Sequence, residues 1–285
     1  MSEAIEQSAE LIANADAILI GAGAGLTAAA GINYTDKEKF AEVFPAWKKR
    51  GFSMQYQLMG YRGWTEMEMW GYYTTHLNYV YFSQGSNPLY EQLRRVIGEK
   101  DYFVMTSNVD ELFHKSGFDP ERIYTPQGSY GRIQCTVPCR SDSLWDIRPF
   151  FEKMQQAYDP VEQVLTDPAA VPRCPHCGES MFINARIDGS FIETPYELER
   201  DKFVAWINQA MNKKLVLLEM GAGYNTPVVI RMPMESITQQ VKDASFIRVN
   251  WEYAQVPMHL EPRSVSVQGD IKAFIEQMNT QIVAI

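Results

Sequence analysis

A chain of 285 residues, 46% of them apolar, is long enough to bury a full core as one large domain or two smaller ones. A formal net charge of −9 and a pI near 5.1 give it little electrostatic pull on nucleic acid or anionic lipid. Partners of those two classes are therefore not expected, and an anionic small molecule must be held by local donors.

Residues 3–14 place Ile5, Leu11 and Ile12 among polar residues, the pattern of a short amphipathic helix. No signal-peptide pattern opens this stretch and no apolar run has the length of a membrane span, so a cytoplasmic protein is expected. Ala17 to Ile20 is a short apolar run and predicts a buried strand, broken by Gly21, Gly23 and Gly25. The alanine-rich segment that follows, up to Gly31, reads as a helix. Strand, glycine turn and helix in succession offer backbone N–H groups to a diphosphate, although a tight turn without ligand also accounts for them. The spacing is G-x-G-x-G rather than the commoner G-x-G-x-x-G.

Ile32 to Asp36 reads as a loop. Residues 37–82 are rich in aromatics, including Phe44, Trp47, Tyr56, Trp64, Trp70, Tyr72 and Tyr73. The favoured reading is a small helical module that packs these rings into a core; a substrate cleft is the alternative. A helix is expected over 87–99, where apolar residues at 89, 93, 96 and 97 share a face. Tyr102 to Thr106 predicts a second buried strand running into Ser107, Asn108, Val109 and Asp110. Polar residues at the carboxyl end of a parallel strand sit where such sheets bind ligands, although Asn108 and Asp110 could equally cap the helix expected over about 110–116. Ile123–Tyr124 reads as a third short strand leading to Gln127, Gly128 and Ser129.

Cys135 and Cys139 form a C-x3-C pair, Cys174 and Cys177 a C-x2-C pair. Four clustered thiols in a chain without secretory features point to structural zinc rather than disulfides. The Pro-His-Cys-Gly turn resembles a zinc knuckle, with His176 as a solvated loop residue rather than a ligand. A helix is expected over about 144–157, turns at Asp159-Pro160 and Asp167-Pro168, and a hairpin turn or substrate loop after Met181 to Arg186. A helix over 196–211 precedes Leu215 to Met220, which repeats the opening pattern with Gly221, Ala222 and Gly223 at its end. Asn225, Thr226 and Pro227 read as the cap and first turn of a following helix. Phe246 to Asn250 and Val265 to Val267 are further strands, the first ending in Trp251 and Glu252, the second in Gly269 and Asp270. A helix over 271–283 closes the chain. His114 is expected on a helix surface, and His76 and His259 have no cluster around them. Strand–helix alternation of this kind implies α/β architecture with a doubly wound parallel sheet.

Taken together these motifs resemble the sirtuin family. Gly23-Ala24-Gly25-Leu26-Thr27-Ala28-Ala29-Ala30-Gly31-Ile32 looks like the sirtuin GAG-x5-GI signature. Thr106 to Asp110 resembles T-Q-N-I-D, and Gln127-Gly128-Ser129 resembles H-G-S, with Cys135 eight residues beyond Gln127. Gly221-Ala222-Gly223 takes the place of G-T-S, Asn250-Trp251-Glu252 of N-x-E, and Gly269-Asp270 of the final G-D turn. The resemblance implies a Rossmann-like NAD-binding domain over 1–33, 96–131 and 203–285, a helical module over 34–95 and a zinc-binding module over 132–202. It implies cofactor contacts from Gly21, Ala22, Gly23, Ala24, Gly25, Ser107, Asn108, Asp110, Gln127, Gly221, Ala222, Gly223, Asn225, Asn250, Trp251, Glu252, Gly269 and Asp270. Within that set, Gly23, Gly25 and Gly221 would approach the diphosphate, Asn108 would hold the nicotinamide ribose, and Asp110 the carboxamide. Asn250 and Asp270 would lie at the adenosine end.

The departures from the family pattern carry information. Deacylase sirtuins use the H-G-S histidine as a general base; a neutral amide at Gln127 cannot take up a proton near pH 7. The F-G-E strand after the second cysteine pair is absent, and Asn33-Tyr34-Thr35-Asp36 replaces the P-D-F-R loop. These features resemble the bacterial class M sirtuins, which implies NAD-dependent protein ADP-ribosyltransferase activity with Asn108 and Gln127 in the catalytic roles. The resemblance further implies a lipoylated glycine-cleavage H-like carrier protein as acceptor and a linked macrodomain hydrolase that reverses the mark. The alternatives are a deacylase, an NAD glycohydrolase, or an NAD-binding sensor without catalysis.

Overall fold

The computed structural model describes residues 2–283 and divides them into two compact units. One comprises residues up to Gly31 with Ser86–Gln127 and Pro195 onward; the other comprises Ile32–Gly85 and Gly128–Thr194. The helical and the cysteine-bearing segments thus fall in one unit.

The first unit is built on six parallel strands: β1 (Ala17–Ala22), β2 (Asp101–Thr106), β3 (Ile123–Tyr124), β4 (Leu215–Met220), β5 (Ala244–Asn250) and β6 (Ser264–Gln268). Their order across the sheet is β6-β5-β4-β1-β2-β3. That is the 3-2-1-4-5-6 order of the dinucleotide-binding Rossmann sheet, with its switch point between β1 and β4. The helices are α1 (Ser2–Asn14), α2 (Ala24–Ala29), α3 (Pro88–Ile97), α4 (Leu112–Lys115), α5 (Thr194–Ala210), α6 (Arg231–Gln240) and α7 (Ile271–Val283). The central strands are apolar almost throughout because helices cover both faces. On one face Ala17, Leu19, Phe103, Met105, Leu215, Leu217 and Phe246 pack with Trp206 and Ala210 of α5 and Met234 of α6. On the other, α1, α3 and α7 pack side by side.

Four local expectations are corrected. β1 does not stop at Ile20: it continues through Gly21 and Ala22, because both pair with Met105 and Thr106 on one side and Glu219 and Met220 on the other. The segment after Gly223 is a series of turns and α6 starts only at Arg231, so Asn225, Thr226 and Pro227 cap no helix there. The helix over 110–116 shrinks to Leu112–Lys115. Leu144–Asp146 is a strand pairing with Arg132–Gln134, and the helix begins at Arg148.

In the second unit an antiparallel sheet runs in the order Leu144–Asp146, Gly128–Cys135, Met181–Ala185. The helices Lys37–Val43, Pro45–Lys49, Gln55–Met59 and Glu66–Leu77 form the helical part. Asp36 caps the first, accepting from the N–H groups of Glu38 and Lys39 at 2.9 Å. Trp47, Trp70 and Tyr72 are buried, and Trp64 stacks on Tyr72 with centroids 5.3 Å apart, so these rings are core. Among the described residues no helix is long and apolar enough to cross a membrane.

Candidate functional site

The sheet order places the turns after β1 and β4 side by side at the switch point, and the glycines there are explained by how closely the two backbones meet. The Gly25 N–H donates to the Gly221 carbonyl at 2.9 Å. A Cβ on Gly25 would lie 2.6 Å from the Gly221 Cα, and one on Gly23 2.6 Å from the Ala222 Cα. Gly221 also needs its left-handed φ of +66°, which L side chains rarely adopt. Gly21 is different: its missing side chain makes room for Met234 of α6. The Gly23 N–H donates to the Met220 carbonyl and the Gly221 N–H to the Val249 carbonyl, both at 3.0 Å. All three glycine N–H groups are thus engaged within the protein.

The corner after β2 is tied to the same turn. The Asn108 side-chain amide donates to the Gly23 carbonyl at 2.9 Å, and the Ser107 N–H to the Ala22 carbonyl at 3.0 Å. Asp110 is fully buried; one oxygen accepts from the Thr27 hydroxyl at 2.6 Å and the other from the Leu112 N–H at 2.9 Å. Burial pushes its carboxyl above the usual carboxylate range, against the pull of those two donors. Asp110 therefore holds the first N–H of the short helix α4, one residue before its N-cap Glu111, while also anchoring α2. Glu111 beside it has φ of +59°, an uncommon conformation for a residue with a side chain. Half-buried Gln127 ends the segment after β3, where Glu199 of α5 accepts from both the N–H and the hydroxyl of Thr125 at 2.8 and 2.9 Å.

At the ends of β4 and β5 the Asn250 amide donates to the Ala222 carbonyl at 3.0 Å, and its oxygen accepts from the N–H groups of Glu252 and Tyr253 at 3.1 Å. The Gly269 N–H reaches the Asn250 carbonyl at 3.1 Å. Asp270 is exposed and caps α7 through Lys272 and Ala273, while Trp251, Glu252 and Asn225 are exposed on the loops. The carboxyl ends of β1, β2, β4 and β5 thus gather most of the expected residues of this unit, with Asp270 engaged as a cap. His114 is half-buried rather than at the surface, and burial lowers its pKa.

Next to this turn lies an ionic network that no motif in the sequence marks. Glu219 of β4 and Arg248 of β5 are register partners, both with fully buried side chains, and pair through 2.7 and 2.9 Å contacts. Glu235 of α6 accepts from Arg248 at 2.7 Å. Burial raises the Glu219 carboxyl above its usual range, in spite of Arg248. The sequence carries the signal: a lone acidic residue in an otherwise apolar strand, and a lone charged residue between Ile247 and Val249 in the next.

In the second unit the four cysteine Sγ atoms lie within 4.8 Å of one another. Cys135 and Cys177 are 3.7 Å apart, Cys139 and Cys174 3.8 Å. Tetrahedral thiolates at a Zn–S distance of about 2.3 Å stand about 3.8 Å apart, so the donor set fits zinc. The Gly178 N–H donates to the Cys174 carbonyl at 2.8 Å and closes the knuckle. His176 is exposed and pairs through Nδ1 with the Ser143 hydroxyl at 2.9 Å.

A Rossmann sheet with two glycine turns interlocked at its switch point, in a chain that also carries a four-thiol centre, defines a protein of the Sir2 fold. Solved structures agree. A Sir2 homologue solved with ADP-ribose matches at TM-score 0.60 and 16% identity, over 98% of this chain and 96% of that one. A Sir2–p53 peptide–NAD+ complex matches at 0.58 and 13%, over 98% of both. A Staphylococcus aureus "Protein ADP-ribosyltransferase" is 30% identical over 274 residues, 93% of this chain and 83% of its own. A "Probable bifunctional ADP-ribose hydrolase/ADP-ribosyltransferase" of Fusarium oxysporum f. sp. cubense is 38% identical over 272 residues, 92% of this chain. The chain spans 45% of that fungal relative's length. No protein-family model matches. The chain belongs to the family of the Staphylococcus aureus protein ADP-ribosyltransferase and has the Sir2 fold.

Proposed function

We propose that this protein cleaves the nicotinamide–ribose bond of NAD and transfers ADP-ribose to a lipoylated glycine-cleavage H-like carrier protein in the cytoplasm. The observation that carries the reading is the pair of interlocked glycine turns at the switch point, with Asn108 fastened to one of them and Asn250 to the other. The family of the two curated relatives and the ADP-ribose and NAD seen in structures of the same fold support it.

Transfer needs the diphosphate fixed, the nicotinamide ribose held and positive charge tolerated at the anomeric carbon. With the Gly23, Gly25 and Gly221 N–H groups engaged, these residues serve by having no side chain, and the diphosphate takes its donors from the neighbouring peptides of Ala24, at the start of α2, and Gly223. Asn108 keeps its amide on Gly23 and turns its oxygen to the nicotinamide ribose. Asp110 reaches the carboxamide through a hydrogen bond once the Thr27 hydroxyl yields. Gln127 bonds the ribose hydroxyls or orients the acceptor. Trp251 and Glu252 flank the adenosine with Asn250, and Gly269 and Asp270 close that end. An acceptor that is already an anion needs no general base, which is why an amide at Gln127 suffices. Zinc held by Cys135, Cys139, Cys174 and Cys177 is structural and fixes the two cysteine pairs to one another. The fungal relative's name, which pairs an ADP-ribose hydrolase with the transferase, supports a hydrolase that reverses the mark as a working partner.

The test is incubation with labelled NAD and the lipoylated carrier. Label on the carrier is the expected result. Free ADP-ribose alone would make the protein an NAD glycohydrolase, and neither product would leave a binding module.

A further inference from the structure

Arg231, the first residue of α6, has a side chain only 3% exposed, yet most of its hydrogen bonds go to main-chain carbonyls rather than to carboxylates. Its Nη1 donates to the Ala222 carbonyl and to the Tyr253 carbonyl, both at 3.0 Å. Its Nη2 stands 3.4 Å from the Gln255 carbonyl and from the Tyr224 hydroxyl, whose ring lies 4.4 Å from the guanidinium carbon. Glu219 is 3.7 Å away and already gives both its oxygens to Arg248. Arg231 is thus a tie between the loop that leaves β4 and the loop that leaves β5.

What the tie does follows from the geometry of one peptide. The Ala222 carbonyl receives two donors, Arg231 Nη1 and Asn250 Nδ2. In a trans peptide the carbonyl and the next N–H point to opposite sides. Drawing the Ala222 carbonyl inward therefore turns the Gly223 N–H away from both side chains. Gly223 is exposed, and among the described residues nothing lies within 4 Å of where its Cβ would stand. The Gly221 N–H is engaged by Val249, so the donors left to this turn are those of Ala222 and Gly223, and the Gly223 N–H is the one whose peptide Arg231 holds.

We propose that Arg231 is a positioning residue for the dinucleotide diphosphate: it locks the Ala222 carbonyl so that the Gly223 N–H is held ready for an anion. The proposal rests on the reading that the switch-point crevice takes NAD. It explains why a guanidinium stands here. An ammonium could reach the two carbonyls at Nη1, but not together with the Gln255 carbonyl at Nη2 and the Tyr224 ring against the guanidinium plane.

The test compares the wild type with Arg231→Met and Arg231→Lys. Steady-state nicotinamide release gives KM for NAD and kcat, and calorimetry gives the affinities for ADP-ribose and for adenosine, which has no diphosphate. Arg231→Met is expected to weaken ADP-ribose binding and raise KM about tenfold, with kcat within about twofold and adenosine binding lowered by no more than about twofold. Arg231→Lys should restore part of the loss. A purely structural role would weaken adenosine and ADP-ribose alike, and that result, or an unchanged KM and ADP-ribose affinity, overturns the proposal. If Arg231→Met does not fold, the same comparison on Arg231→Lys decides, with an expected loss of about threefold. A folded wild type that binds neither NAD nor ADP-ribose overturns the reading of the crevice itself, and the proposal with it; binding in the wild type with no selective loss in the variants overturns the proposal alone.

Discussion

His76 lies buried in the second unit among the rings of Tyr34, Tyr72, Tyr73 and Tyr130, with Gln55 against its Nδ1 and, among the described residues, no partner for its Nε2. Burial lowers its pKa to about 3, from 6.5 in the unfolded chain. Between those values the unfolded chain binds the extra proton, so His76 contributes stability that is present above about pH 6.5 and is lost as pH falls toward 3. At pH 5 the loss relative to pH 7 is about 2 kcal/mol. Denaturant unfolding at the two pH values should show that loss in the wild type and a smaller one in His76→Gln; equal losses would contradict the burial argument. The chain alone left His76 without neighbours because they come from four separate segments. Gln127 was legible, since a motif position marks it. Arg231 was not: between Ile230 and Met232 it reads as an ordinary polar residue of an amphipathic helix.

At the scale of elements, the glycine turns show which part of a motif a sequence exposes. The G-x-G-x-G run and its echo at 221–223 announced two turns, but not that each exists largely to admit the other. That requires β1 and β4 to be neighbours, a fact of topology. Gly25→Ala would force a Cβ against the Gly221 backbone, and overpacking of this kind costs about 1–3 kcal/mol. Gly223→Ala, with open space around it, should leave the melting temperature within about 2 °C of the wild type. Equal melting temperatures for the two variants would refute the interlocked turns. The capped helix expected from Asn225 to Pro227 failed for a related reason. The local signals are sound, but the carbonyls of Ala222 and Tyr253 are held by Arg231, and the helix starts there instead. The cysteine pairs were legible because ligand spacing is local. Stripping the metal with a chelator should lower the melting temperature of the protein, since structural zinc contributes folding free energy. Metal analysis should find one zinc per chain before treatment; an unchanged melt after verified removal would count against the centre.

For the whole molecule, the alternation of strands and helices was enough to predict a doubly wound sheet, because buried parallel strands and amphipathic helices have different periods. The order 3-2-1-4-5-6 and the division into two compact units depend on contacts between distant segments, which no local pattern encodes. An acidic chain that binds the diphosphate of a dinucleotide must do so with peptide N–H groups and held amides rather than with a field. Affinity should then change little with ionic strength. Titration of the folded protein with NAD in a calorimeter tests this account most directly. It predicts saturable heat at one NAD per chain, nearly unchanged between low and physiological salt; no heat of binding from folded, zinc-loaded protein would contradict it.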